Sequence, residues 1–157
     1  MAEITITLPD GSARSLPAGA TGTTLAESIG SRLAKAAVAV VVDGSESDLG
    51  EALPDGATVA VITADSDAGR HVLRHSTAHV MAQAVTQLFP GARFSIGPAI
   101  ADGFYYDFEL PGGRTFSEGD LAAIETRMRE IMKADQPFVR EELPAADALR
   151  LFADQPY

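Results

Sequence analysis

Four Asp-Gly pairs, beginning at Asp10, Asp43, Asp55 and Asp102, punctuate this chain, each beside a short run of apolar residues. Asp-Gly supplies the positive backbone angles that tight hairpin turns demand, so the pairs predict where the backbone reverses. In AEITITLPDGSARSL, Ile4, Ile6 and Leu8 alternate with polar residues ahead of Asp10-Gly11, which reads as strand, turn, strand. TTLAESIGSRLAKAA then places Leu25, Ile29 and Leu33 at helical spacing. Thr24 and Glu27 match a capping box, and one helix is expected from about Thr23 to Ala37. AVAVVVDG and ATVAVITA, with Asp43-Gly44 and Asp55-Gly56 as turns, complete a ββαββ order.

A sheet of four or five strands crossed by one helix is a β-grasp-like arrangement, expected over residues 1–65. The polar run ADSDAG, Ala64 to Gly69, suits a linker into a second unit over residues 66–157. There Arg70 to Leu88 reads as one helix, stopped by Pro90-Gly91. Leu73, Val80, Met81 and Ala84 fall on one side of it, and His71, His75 and His79 on roughly the opposite side. Beyond Asp102-Gly103, Phe104, Tyr106, Phe108 and Leu110 alternate with Tyr105, Asp107 and Glu109, as in a strand with one aromatic face. Ser117 to Met132 predicts a capped helix burying Leu121, Ile124, Met128 and Ile131; PFVREE suggests a strand and PAADALRLFA a short helix. The fold class is therefore α+β, with the second unit showing no closing element before Tyr157.

The chain has no cysteine, which removes disulfides and thiolate chemistry and leaves His, Asp and Glu as metal ligands. Residues 1–68 carry ten acids against three bases and residues 69–157 twelve against nine, so neither half looks like a clamp for nucleic-acid phosphates. No window approaches the roughly 20 apolar residues of a membrane span, and the first residues lack the pattern of a signal peptide. The chain reads as cytoplasmic, with no membrane partner. GxxxxGK, GxGxxG and nucleophile-elbow motifs are all absent, so ATP chemistry is not encoded here.

All three histidines lie in one nine-residue window. At i and i+4, His75 and His79 can reach a common point, which suits two metal ligands or two groups that position one water or hydroxyl. The metalloprotease motif does not apply, because Ser76 stands where a Glu base is needed. Two imidazoles alone leave a structural zinc site two ligands short, so no metal is expected. A solvated helix face fits the same residues, and their spacing leaves both readings open. Tyr106 shares the face of Phe104 and Phe108 by alternation, which predicts a packed ring whose hydroxyl seeks a partner. Gly97-Pro98 is most simply a turn.

LRHSTAHVMAQAVTQLFPGARFSIGPAIADGFYYDFEL, with RHSxAH on a helix and IGPxIxxGFYYD after a Phe-Pro-Gly break, resembles the start of the editing domain of threonyl-tRNA synthetases. Alanyl-tRNA synthetases and their free-standing editing relatives share a related His-x3-His helix. The unit in front favours the threonyl family, since residues 1–65 look like the TGS domain that opens many of its members. TGS-like units also serve as regulatory modules in certain GTPases and stringent-response enzymes, but those lack RHSTAH and GFYYD behind them. A free-standing trans-editing hydrolase would need a Cys-x3-His element, and no cysteine is present.

The resemblance implies an N-terminal fragment of a class II ligase that joins threonine to tRNA(Thr). The family's ATP, Mg2+ and Zn2+ belong to a catalytic core, and its homodimer contacts to domains, that are not in this chain; no cofactor is expected here. It also implies that His75 and His79 line a pocket hydrolysing mischarged seryl-tRNA(Thr), orienting water or the terminal ribose hydroxyls, with Tyr106 holding the substrate. That pocket would be bordered by the Phe104 to Leu110 strand and open on one wall. His71 lies outside the matched motif and receives no role.

Overall fold

The structure is a computed structural model and describes residues 2–137, 139–155 and 157. The chain divides into two compact units, Met1–Leu73 and Arg74–Tyr157, each combining helices with small antiparallel sheets.

In the first unit β1 (Glu3–Thr7) and β2 (Ala13–Pro17) pair antiparallel, with Ile4 opposite Leu16. Their turn is fixed at Asp10, whose carboxylate accepts from the Ser12 hydroxyl at 2.6 Å and its backbone N–H at 2.9 Å. Those bonds hold the Asp10 carboxyl below its ordinary range. After the helical segment, β3 (Ala37–Val42) runs between β4 (Ser45–Ser47) and β5 (Val59–Thr63), antiparallel to both. Asp43 and Gly44 join β3 to β4 with φ of +48° and +88°, the double-positive turn whose twist matches its strands. The Asp43 carboxylate accepts from Thr58 N–H and that of Asp55 from Thr5 N–H, both at 2.8 Å. A parallel bridge from Thr7 to Thr58 ties the hairpin to the three-stranded sheet.

The expected single helix is two: α1 (Gly22–Ile29) and α2 (Ser31–Ala36). Gly30 between them is extended, and its N–H closes α1 on the Ala26 carbonyl. Glycine pays the largest entropy for entering a helix, which makes it the natural break point. The capping box also lies one turn earlier than Thr24 and Glu27. Thr21 is the N-cap and accepts from Thr24 N–H, while the Thr24 hydroxyl accepts from Thr21 N–H. Leu25 points from α1 into a core of Ile4, Ile6, Leu16, Val40, Leu53 and Val59, where Ile6, Leu25, Val40 and Val59 are fully buried. At about 1.5 to 3 kcal/mol per buried aliphatic side chain, this cluster dominates the stability of the unit.

The polar run Ala64 to Gly69 folds as a tight turn and helix start. Ser66 donates its hydroxyl to the Thr63 carbonyl at 2.7 Å and accepts from Gly69 N–H at 3.0 Å. It caps α3 (Asp67–Leu88), whose C-terminal part belongs to the second unit. Glycine at 69 is required by space, because a Cβ there would lie 1.9 Å from the Thr63 carbonyl oxygen.

In the second unit β6 (Arg93–Phe94) pairs with β9 (Phe108–Glu109), and β7 (Ala99–Ile100) with β8 (Gly103–Phe104). The continuous strand expected from Phe104 to Leu110 is interrupted over residues 105–107, although Leu110 is buried, Phe104, Tyr106 and Phe108 are half-buried, and the residues between them are exposed. Next, α4 (Glu118–Lys133) is capped by Ser117, which exchanges hydrogen bonds with Asp120. Ser117 N–H and hydroxyl, then the Arg114 guanidinium, hold the Asp120 carboxyl below its usual range.

The core of this unit gathers Ala84, Val85, Ala92, Leu110, Ile124 and Ile131, with Val80, Met81, Phe89, Phe108, Phe116 and Met128 packed against it. Two expected core residues stand outside: Leu73 is 42% and Leu121 57% exposed. α5 (Ala145–Leu151) occupies the expected position. The strand suggested by PFVREE is not formed by residues 137 and 139–142, and Phe138 lies outside the described residues.

Candidate functional site

The sequence RHSTAHV lies within α3, so His75 and His79 are one helical turn apart on one face. Both residues are exposed. Their Nε2 atoms are 3.0 Å apart and the rings meet edge-on, with centroids at 4.6 Å and an interplanar angle of 90°. One imidazole therefore donates a proton to the other, fixing opposite tautomers at the contact. His71 is exposed one turn earlier and makes no ring contact with the pair among the described residues.

Desolvation of its ring, and secondarily the charge of His75, push the His79 imidazole below its ordinary value of 6.5. His79 is thus neutral at pH 7 and able to accept a proton. Because its folded pKa lies below the unfolded one, the unfolded chain takes up the proton first as pH falls. The associated stability is present above 6.5 and lost as pH drops through the lowered folded value. NMR titration of the His79 ring is expected to give a midpoint below 6.5; a midpoint at or above it would contradict this arrangement.

Tyr106 stands between β8 and β9. Its ring stacks on Phe108 with centroids at 5.0 Å and meets Phe94 edge-on at 6.1 Å. Desolvation raises the phenol pKa above its usual 10.0. No hydrogen bond or ring contact links Tyr106 to either imidazole among the described residues. What joins the two regions is Arg74, beside His75, whose Nη1 donates to the Ile100 carbonyl of β7 at 3.4 Å. Sequence reading missed Arg74 because a helical Arg carries no pattern that names a distant carbonyl. It also took Gly97 for a plain turn, whereas Gly97 lies against the Tyr106 ring.

Several open clefts of this unit are lined by other residues, one by Val80, Gln83, Ile131 and Val139 and another by Thr86, Arg93 and Gln155. Among the described residues no group of three or more His, Asp or Glu side chains gathers as a metal site. No helix is long and apolar enough to cross a membrane among the described residues.

Comparison with known proteins matches residues 4–63 to the TGS domain. The chain is 54% identical over 152 residues to a threonine–tRNA ligase of Citrifermentans bemidjiense, covering 97% of this chain and 24% of that protein. A threonine–tRNA ligase of Maricaulis maris is 50% identical over 151 residues, covering 96% and 23%, and one of Chlorobaculum tepidum is 46% identical over 153 residues, covering 98% and 23%. The chain spans about a quarter of the length of these curated relatives. A TGS domain thus opens the chain, and its similarity to threonine–tRNA ligases runs through both units.

Proposed function

We propose that this chain supplies one wall of a hydrolytic editing pocket in a threonine–tRNA ligase, acting on seryl-tRNA(Thr). The observation that carries the reading is the 3.0 Å contact between the His75 and His79 Nε2 atoms, with His79 kept neutral. Two imidazoles sharing one proton can orient a water or ribose hydroxyl and relay the proton released when the ester is attacked. Tyr106, its ring fixed by Phe94 and Phe108, holds the substrate. The attack places water oxygen on the carbonyl carbon, and the 3′-terminal ribose leaves as its hydroxyl, yielding serine and free tRNA.

A need for such a pocket follows from the substrates. Threonine exceeds serine by one methyl group, a difference worth only about 1 to 3 kcal/mol in a binding site. A synthetic site that accepts threonine therefore charges some serine, which a second pocket must remove. The residues present do not fit a zinc centre of their own, since two imidazoles fall short of tetrahedral ligation. ATP-dependent activation of threonine, with the Mg2+ and Zn2+ it uses in this family, and dimerisation are functions of the longer protein in this reading. A purely regulatory TGS module does not explain why identity to the ligases continues through residues 64–157.

The test is deacylation by the full-length protein carrying this chain. Seryl-tRNA(Thr) is expected to be hydrolysed at least about tenfold faster than threonyl-tRNA(Thr), as a methyl group excluded from a small pocket requires. Equal rates for the two esters would remove the editing reading.

A further inference from the structure

The Tyr106 ring lies where a side chain of residue 97 would otherwise be. A Cβ added to Gly97 would stand 2.1 Å from Cδ2 of Tyr106, 2.2 Å from Cε2 and 2.8 Å from Cγ. These are far inside van der Waals contact, so the ring and a side chain at 97 exclude each other. Gly97 is not among the glycines with positive φ, so its backbone is open to any residue. Space, not conformational freedom, is what glycine provides here.

The ring has little room to yield. Phe108 stacks against it at 5.0 Å with an interplanar angle of 24°, and Phe94 abuts it at 6.1 Å and 75°. Phe108 is in turn met by Phe116 at 6.0 Å, Phe116 by Phe89 at 5.7 Å, and the Arg114 guanidinium covers Phe89 at 5.1 Å. Phe89, Phe108 and Phe116 pack on the buried cluster of this unit, so the series of rings is anchored in the core. The segment beginning at Gly97 leads into β7, whose Ile100 carbonyl is held by Arg74 next to His75. One short segment thus both seats the phenol and is fastened to the histidine helix.

We propose that Gly97 is a positioning residue for editing: its absent side chain is the space that sets where the Tyr106 phenol is presented to the substrate. The inference rests on the reading of Tyr106 as a substrate-holding residue. It assigns the glycine of IGPAI a role beyond the turn its sequence suggests.

The experiment is a double-mutant cycle in the full-length ligase, reading steady-state deacylation of seryl-tRNA(Thr) by Gly97→Ala, Tyr106→Ala and the double variant. Gly97→Ala is expected to lower kcat/KM by up to about 100-fold, the effect of displacing a binding group by roughly an ångström. The loss falls mainly in KM, because the imidazoles stay in place. In the Tyr106→Ala background the clash is gone, so adding Gly97→Ala is expected to cause no further loss. Wild-type kinetics for Gly97→Ala beside an impaired Tyr106→Ala, or additive losses, would overturn the role of Gly97 and leave that of Tyr106 standing. Wild-type kinetics for Tyr106→Ala would instead remove the substrate role of Tyr106, and the proposal with it. If Gly97→Ala does not fold, Phe108→Leu removes the backing ring with Gly97 intact. The same KM-weighted loss is expected there, and unchanged kinetics would overturn the proposal.

Discussion

Replacing both His75 and His79 with alanine in the full-length ligase is expected to lower seryl-tRNA(Thr) deacylation by about 100- to 10,000-fold, the range that a positioned acid–base group supplies. The two rings touch through their Nε2 atoms, so they act as a unit. Each single substitution should then remove most of what the double removes, because the remaining imidazole loses the partner that sets its tautomer. Both side chains are exposed and neither fills the core, so the fold should survive. Threonine-dependent ATP–pyrophosphate exchange on the same preparation checks that it does. Deacylation that persists in the double variant would return these residues to a solvated helix face.

The largest expected loss of stability comes from Leu25→Ala. Leu25 is fully buried against both strands of the hairpin and the sheet behind α1, and truncation leaves a cavity that rigid neighbours such as Val40 and Val59 cannot close. A buried Leu→Ala change costs about 2 to 5 kcal/mol, read as a lower urea midpoint with unchanged slope. Leu121→Ala on α4 is the contrasting case. At 57% exposure it should shift stability by no more than about 0.5 kcal/mol. Equal effects at the two positions would mean that burial has been misassigned in one unit.

Those two leucines mark how far sequence pattern reaches. Both sit at helical spacing from other apolar residues, and periodicity alone rates them alike. Burial separates them because Leu25 lies in a cluster with residues of four strands, β1, β2, β3 and β5, whereas Leu121 stands outside the cluster that includes Ile124 and Ile131. The hairpin was readable because Ile4 and Ile6 alternate and Asp10-Gly11 marks its turn, information contained in adjacent residues. The break at Gly30 and the Thr21 cap were less so, since Thr24 and Glu27 offer an equally good capping pattern one turn later. At the candidate site, helical spacing was enough to bring His75 and His79 together. The seat of Tyr106 on Gly97 was invisible, because a contact across the short β7–β8 hairpin leaves no periodic trace.

The Asp-Gly turns also bear on how the protein ages. The Gly nitrogen of an Asp-Gly pair can attack the aspartyl side-chain carbon, forming a succinimide that reopens as isoaspartate and adds a carbon to the backbone. At Asp10, Asp43 and Asp55 the carboxylate is engaged by a backbone N–H, of Ser12, Thr58 and Thr5 respectively, which holds it away from that attack. Asp102 is exposed at the β7–β8 turn and makes no hydrogen bond among the described residues. Slow isomerisation should therefore concentrate at Asp102, detectable by isoaspartyl methylation and peptide mapping after prolonged storage; equal modification at all four pairs would show that the hydrogen bonds give no protection. The lengthened backbone would fall in the hairpin held by Arg74, so chemical damage would reach the second unit while the TGS unit stayed intact.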